Sequence, residues 1–275
     1  MAPDDRAELL HRADRYLHAV PLSGARAHEV GRFTLFRSTT AWSYYARPRP
    51  GTRADQITPL DVEELRVRCQ QLGLPLSLEW VHQTAPSLAD AAAAAGLEVV
   101  EHPLLVLTRE AFIPSATPAG VTVEIVAADR QTLITARAVA DVAFGTPGTQ
   151  VGEPGAAARD GRTSTVGPAR GDALLERARN GVTVTAVALG PDARPVASGQ
   201  HQPVQTCSEI VAVATLPAFR RRGLGSAVTS ALVEHAFGNG VDLVLLSAQN
   251  DDVARIYEKL GFARIGAVGA AEPGR

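Results

Sequence analysis

Val213-Ala-Thr-Leu-Pro-Ala-Phe-Arg-Arg-Arg-Gly-Leu-Gly225 is the stretch on which the reading of this chain turns. A β-type run, Ser208 to Ala214, ends; Pro217 follows; and Arg220-Arg-Arg-Gly-Leu-Gly225 opens an apolar helix. Glycines let backbone N–H groups approach an anion closely, and a helix start adds N–H groups that have no intrahelical partner. Arg220, Arg221 and Arg222 supply positive charge for phosphate oxygens. The stretch reads as a diphosphate cradle; the bland alternative is a basic helix start on a solvated face. A Rossmann fingerprint needs three spaced glycines, and only Gly223 and Gly225 are in place. A Walker loop needs Gly-Lys-Ser/Thr, whereas the single lysine, Lys259, lies far downstream.

Downstream, Ser226 to Phe237 has Val228, Leu232, Val233 and Phe237 recurring four and five residues apart, the pattern of a helix face. A Gly-Asn-Gly break precedes Val241-Asp-Leu-Val-Leu-Leu246, which reads as a buried strand. Asn250-Asp-Asp252 reads as a helix N-terminus with Asn250 as cap and acids in the first turn. That helix carries Ala254, Tyr257 and Leu260 and stops at Gly261.

Two motifs now stand in order. The Arg220-to-Gly225 spacing resembles the Arg/Gln-x-x-Gly-x-Gly/Ala signature of the GCN5-related N-acetyltransferase (GNAT) superfamily. Asn250-Asp-Asp-Val-Ala-Arg-Ile-Tyr-Glu-Lys-Leu-Gly-Phe262 resembles its second motif in outline, departing by one residue in the Asn-to-Ala spacing. The resemblance implies an acyl-CoA N-acyltransferase fold of the mixed α/β class, a central mixed β-sheet flanked by helices. It implies that main-chain groups of Val213, Ala214 and Thr215 pair with the pantetheine arm of acetyl-CoA as if it were an added strand. Arg220, Arg221, Arg222, Gly223, Leu224, Gly225 and Ser226 would hold the diphosphate, and Asn250 would contact the pantetheine or the acetyl end.

Acetyl transfer from a thioester to an amine needs a proton taken from the amine, donors for the carbonyl oxygen, and an acid or stabiliser for the departing sulfur. Tyr257 matches the superfamily's tyrosine near the CoA sulfur; as plain structure it would be a core tyrosine bonded to a carbonyl. Glu209 is the sole acid on the strand leading into the cradle, and period-two alternation puts it on one face with Val211 and Val213. Partial burial there would raise its carboxyl toward a useful basicity. Its offset before Arg220 equals that of the catalytic glutamate in the histone-acetyltransferase branch; otherwise it is a rim carboxylate paired with an arginine. His201, at a strand end, is the reserve base. Cys207 offers a covalent route, but a lone strand cysteine is usually a small core residue.

The 275 residues suit one or two cores, and a net charge of −2 argues against nucleic-acid binding by general electrostatics. Cys69 and Cys207 are too few for a disulfide framework or a zinc site, so no metal is expected. The N-terminus lacks an apolar signal region and no apolar run is long enough for a bilayer, which predicts a cytoplasmic protein without membrane contact. Arginine in place of lysine and abundant alanine suggest a high-GC bacterial genome.

A faint repeat runs through the chain. Leu76-Ser-Leu-Glu-Trp-Val81, Ala85-Pro-Ser87, a helix from Leu88 to Ala95 and Gly96 parallel the C-terminal strand, Asn250, helix and Gly261. Aligning the glycines puts Ala92 under Tyr257. A helix from Pro59 to Leu72 and Gly73 parallel the cradle helix and Gly240, but the preceding Arg47-Pro-Arg-Pro-Gly-Thr-Arg-Ala-Asp55 has no Arg-x-x-Gly-x-Gly. Chance repetition in an α/β chain is the alternative. The expected division is a degenerate GNAT-like copy over 1–112, a linker over 113–120 and a catalytic domain over 121–275. Gly145 to Gly171, without periodicity, reads as a long loop near the acceptor site or a surface excursion.

These readings predict an acetyl-CoA-dependent N-acetyltransferase acting by direct attack of an amine, a small molecule before a protein. The N-terminal half would buttress the site or make a homodimer contact. The rival from another class is a non-catalytic acyl-CoA-binding or regulatory protein, which would need neither Tyr257 nor Glu209.

Overall fold

The computed structural model describes residues 3–40, 42–52, 56–146 and 148–274, so Arg53-Ala-Asp55 of the N-terminal loop lie outside the described residues. The chain divides into two compact units. The first holds Met1–Val106, Ser247–Ala254 and Arg264–Arg275, and the second holds Leu107–Leu246 and Arg255–Ala263. The segment 113–120 falls inside the second unit, where it is docked. Ile113 N–H donates to the Leu260 carbonyl at 3.0 Å, and Ser115 N–H to Ser230 Oγ at 2.9 Å.

The first unit contains α1 (Pro3–Ala19), β1 (Ala25–Val30), β2 (Phe33–Ser38), β3 (Ala46–Pro48), α2 (Pro59–Gln71), β4 (Leu78–Val81), α3 (Leu88–Ala94) and most of β5 (Leu97–Thr108). The last strand of the chain, β11 (Ala263–Pro273), returns to this unit and sits between β4 and β5. It pairs antiparallel with β4, Val268 opposite Val81. β3 and β4 run parallel, joined by α2, the connection such strands require. Phe33, Leu65, Leu78, Trp80 and Leu88 are fully buried there, each such side chain contributing about 1.5–3 kcal/mol of hydrophobic stabilisation.

The second unit contains β6 (Thr122–Ile125), α4 (Arg130–Phe144), α5 (Ala156–Ser164), α6 (Pro168–Arg179), β7 (Val184–Leu189), β8 (Pro195–Val204), β9 (Cys207–Thr215), α7 (Leu224–Gly238) and β10 (Leu243–Ser247). Helix α8 (Asp251–Glu258) begins in the first unit and ends in the second. The strand order is β10-β9-β8-β7-β6, antiparallel except for β9 and β10, which α7 joins as a parallel pair. Neighbouring residues of β8 face opposite sides, as the pleat requires. Ser198 Oγ donates to the Ala136 carbonyl of α4 at 3.0 Å, while Gly199 faces Val228 and Leu232 of α7. The sheet therefore lies between α4 and α7.

The elements expected over 59–96 and over 208–261 are present within a few residues at each end. α1, β1, β2, β3 and β11 have no counterpart among the expectations. The stretch 145–171 is not one long loop: it contains α5 and the start of α6. Gly152, Gly155, Gly161, Gly167 and Gly171 blur the periodicity, and tertiary contacts override the poor propensity. Arg159 of α5, wholly buried, pairs with Asp160 at 2.7 Å and Asp192 at 2.6 Å and donates to the Pro195 carbonyl at 3.1 Å. Among the described residues no helix is long and apolar enough to cross a membrane.

Candidate functional site

Strand β9 is regular up to Val211. Gln202 stands opposite Glu209, His201 opposite Ile210 and Gln200 opposite Val211, but Ser198 stands opposite Ala214. Ala212 and Val213 thus share the single position facing Gly199, which is a β-bulge. Ala212 adopts φ 54°, a left-handed conformation costing a non-glycine residue of the order of 1–3 kcal/mol. Of four described non-glycine residues at positive φ, Ala193 and Gln205 lie in hairpin turns; the other two are Ala212 and Arg221, in the bulge and the cradle.

The bulge corrects the expected alternation. Glu209, Val211 and Ala214 share the face of Gln200 and Ser198, whereas Val213 turns to the face of Gly199 and α7. A Cβ on Gly199 would lie 3.2 Å from Val213 Cγ2 and 3.0 Å from Val228 Cγ1, so the missing side chain gives Val213 its room. Glycine within a strand is the sequence signal that could have revealed the bulge.

On its other edge β9 pairs with β10 through Leu243 opposite Cys207, Val244 opposite Ser208 and Leu245 opposite Glu209. There the ladder ends. From Val211 to Thr215 that edge is not paired with β10, so the two parallel strands form a fork. Glu209 is half-buried on the last rung, where the prongs part. The main chain of Val213, Ala214 and Thr215 lines the open prong.

The prong leads into the cradle. A 3-10 turn over Pro217–Phe219 is followed by Arg221 at φ 64° and Gly223 at φ 77°, from which α7 starts. Gly223 is the N-cap and has no side chain to offer, so the first-turn N–H groups of Leu224, Gly225 and Ser226 lack an intrahelical acceptor. A Cβ on Gly225 would be 3.8 Å from Thr215 Oγ1 and 3.9 Å from Val213 Cγ1, so the strand end and helix start are neighbours. The unsatisfied N–H groups and the helix dipole make this an electropositive end.

The three arginines behave differently. Arg221 and Arg222 are exposed; Arg222 lies 5.2 Å over the Phe219 ring and donates to the Ala218 carbonyl at 3.4 Å. Arg220, expected at a phosphate, donates to the carbonyls of Thr146 at 2.8 Å, Ala143 at 3.0 Å and Gln150 at 3.3 Å.

Tyr257, on the part of α8 that belongs to the second unit, is half-buried, its ring packed edge-on against Phe262 at 5.9 Å. Desolvation pushes its phenol up to about 12, so it keeps its proton throughout the neutral range. Asn250 belongs to the first unit and caps α8: its Oδ1 accepts the Val253 N–H at 3.0 Å. His201, expected at a strand end, is instead buried at 1% exposure on the α7 face. Its Nδ1 is 2.8 Å from Ser208 Oγ and its Nε2 is 3.0 Å from His235 Nδ1. Desolvation and His235 lower it to about 4, so it is neutral at physiological pH with both ring nitrogens engaged. Cys207 starts β9, five residues and so about 17 Å from the bulge.

Residues 200–268, which hold the fork, cradle and Tyr257, match the family model of FR47-like proteins. No curated protein matches the chain. Among solved structures, a GCN5-related N-acetyltransferase from Kribbella flavida is similar over 97% of this chain and 96% of its own, at 22% identity and a TM-score of 0.73. A functionally unknown conserved protein from Staphylococcus epidermidis aligns over 92% of this chain and 95% of its own, at 14% identity and a TM-score of 0.56. A tandem GNAT protein from the clavulanic acid biosynthesis pathway aligns over 90% of this chain and 80% of its own, at 17% identity and a TM-score of 0.54. At these identities the likeness is one of fold.

Proposed function

We propose that this chain, which has the GNAT fold, is an acetyl-CoA-dependent N-acetyltransferase. Its working half is residues 121–275, and its N-terminal half, 1–112, is a silent copy. The observation that carries the reading is the fork: a bulged strand edge left open from Val211 to Thr215, leading into a helix N-terminus with free N–H groups at Leu224, Gly225 and Ser226. An extended amide chain ending in a diphosphate fits that sequence of groups. Its amides add to the open edge as an extra strand would. Its phosphates meet the helix start, with Arg221 and Arg222 alongside.

The acetyl group then lies near the bulge. The acceptor amine, losing its proton to Glu209 on that side, attacks the thioester carbon and forms the C–N bond. The oxyanion takes a hydrogen bond from a main-chain N–H of the prong. Collapse breaks the C–S bond and CoA departs as thiolate. A phenol near 12 is a weaker acid than an alkyl thiol near about 8.5. Tyr257 therefore acts by donating a hydrogen bond to the departing sulfur; the proton that finally reaches the thiol comes from solvent. His201, neutral and engaged on the α7 face, leaves the base role to Glu209.

The test is thiol release from acetyl-CoA with a panel of amines: spermidine, 2-phenylethylamine, glycinamide and kanamycin. Amine-dependent release with an acetylated amine by mass spectrometry supports the proposal. Tight acetyl-CoA binding with no release on any amine would favour the non-catalytic binder.

A further inference from the structure

We propose that Arg220 is a positioning residue that buckles the segment after α4 onto the strand-to-helix turn, and is not a phosphate ligand. The inference rests on the acetyltransferase reading for its consequence, but its geometry stands apart. The guanidinium fork reaches three carbonyls: Ala143 in the last turn of α4, Thr146 just past it, and Gln150. Carbonyls at a helix C-terminus carry the negative end of the dipole, so a cation there is favourable even though the Ala143 carbonyl also accepts the Thr146 N–H at 3.2 Å.

A second buckle lies further along. Gly152 N–H donates to the Pro217 carbonyl at 3.1 Å, and Ala218 N–H donates to the Pro154 carbonyl at 3.0 Å, a short two-rung bridge. Glycine eases so close an approach. A Cβ on Gly152 would lie 3.2 Å from Pro217 Cβ, and one on Gly155 would lie 3.3 Å from Ala218 Cβ. The segment is therefore a strap fastened at both ends to residues 217–220, the turn between the open strand edge and the phosphate cradle. It carries Phe144 and Val151, 62% and 61% exposed, beside that turn. Arg220 ties the wall that carries them to the turn that holds the cofactor, so its loss loosens the wall without removing a phosphate contact.

The fork geometry, not the charge alone, is what the strap needs, and a lysine cannot reproduce three directed bonds. The experiment compares wild type, Arg220→Gln and Arg220→Lys by amide exchange over 143–146 and 148–154, by acetyl-CoA affinity, and by turnover on the best panel amine. Expected for both variants is at least tenfold faster exchange in the strap, acetyl-CoA Kd within about threefold of wild type, and a raised amine KM with little change in kcat. An acetyl-CoA Kd weakened at least tenfold by Gln and restored by Lys would make Arg220 a phosphate ligand and overturn the proposal. Unchanged strap exchange in both variants would overturn it equally. If wild type itself binds no acetyl-CoA, the functional reading falls, while the exchange comparison still decides the buckle.

Discussion

The starts of α2 and α7 occupy the same place in a repeated order of elements. Each follows a strand that it joins to a parallel neighbour, β3 to β4 and β9 to β10. Each is followed by a positive-φ glycine, Gly73 and Gly240, and the next helices end alike at Gly96 and Gly261. The helix starts differ in what they do with their unpaired N–H groups. At α2 a capping box closes the end: Thr58 Oγ1 accepts the Asp61 N–H, and Asp61 Oδ2 accepts the Thr58 N–H at 2.7 Å. Those bonds, with Arg32 3.2 Å away, hold the Asp61 carboxyl below the usual range despite partial burial, so the first turn already carries its own anion. At α7, Gly223 offers no side chain and Ser226 stands where α2 has Asp61. One helix start is satisfied from within; the other keeps first-turn N–H groups without a side-chain cap, which the proposed function assigns to an anion from outside.

The strongest way to break this contrast is to write the acid of α2 into α7. Ser226→Asp places a carboxylate at the third helical position, favourable to the helix but repulsive to a diphosphate. Acetyl-CoA affinity should fall by two orders of magnitude or more by calorimetry, with thermal stability unchanged or raised. Retained affinity would place the phosphates elsewhere.

Tyr257 has Ala92 as its counterpart in α3, so removing its hydroxyl leaves neither half with a donor at that position. Tyr257→Phe should lower kcat by about 10–100-fold and leave acetyl-CoA affinity intact. With the phenol near 12, wild-type turnover should show no alkaline loss from this group below about pH 11. For Glu209, at the parting of the fork, Glu209→Gln should remove the acidic limb of the pH–rate profile; an unmoved limb would assign the base to another group.

Buried His201, bonded to half-buried His235, makes the second unit acid-sensitive. His201 has a folded value near 4, below its ordinary 6.5. Stability is therefore full above about 6.5 and falls as the pH drops toward 4, because the unfolded chain takes up a proton that the folded one refuses. The loss should be roughly 1 kcal/mol per pH unit over that window. His201→Gln should flatten the unfolding curve there. The smallest effect is at the capped helix: Thr58→Ala should cost about 1 kcal/mol of stability and leave acetyl-CoA binding untouched.

The turn before α7 and its glycine start were legible in the sequence because glycines at a strand-to-helix junction state their backbone needs locally. The capping role of Asn250 and the stop at Gly261 were legible for the same reason. What the pattern could not show was tertiary. Alternation predicted a flat β9, yet the bulge at Ala212 depends on Gly199 of the neighbouring strand. Three adjacent arginines look equivalent in a string, but Arg220 is claimed by carbonyls 70 to 77 residues upstream. Helix α5 depends on a buried Arg159 whose partner Asp192 is 33 residues away. β11 is invisible as a member of the first unit because its partner β4 lies far upstream in the chain.

Calorimetric titration of the wild-type protein with acetyl-CoA tests the contrast most directly. One open and one closed helix start predict one site per chain, lost in Ser226→Asp and unaffected in Thr58→Ala. Two sites per chain, or a single site that survives Ser226→Asp, would contradict the account.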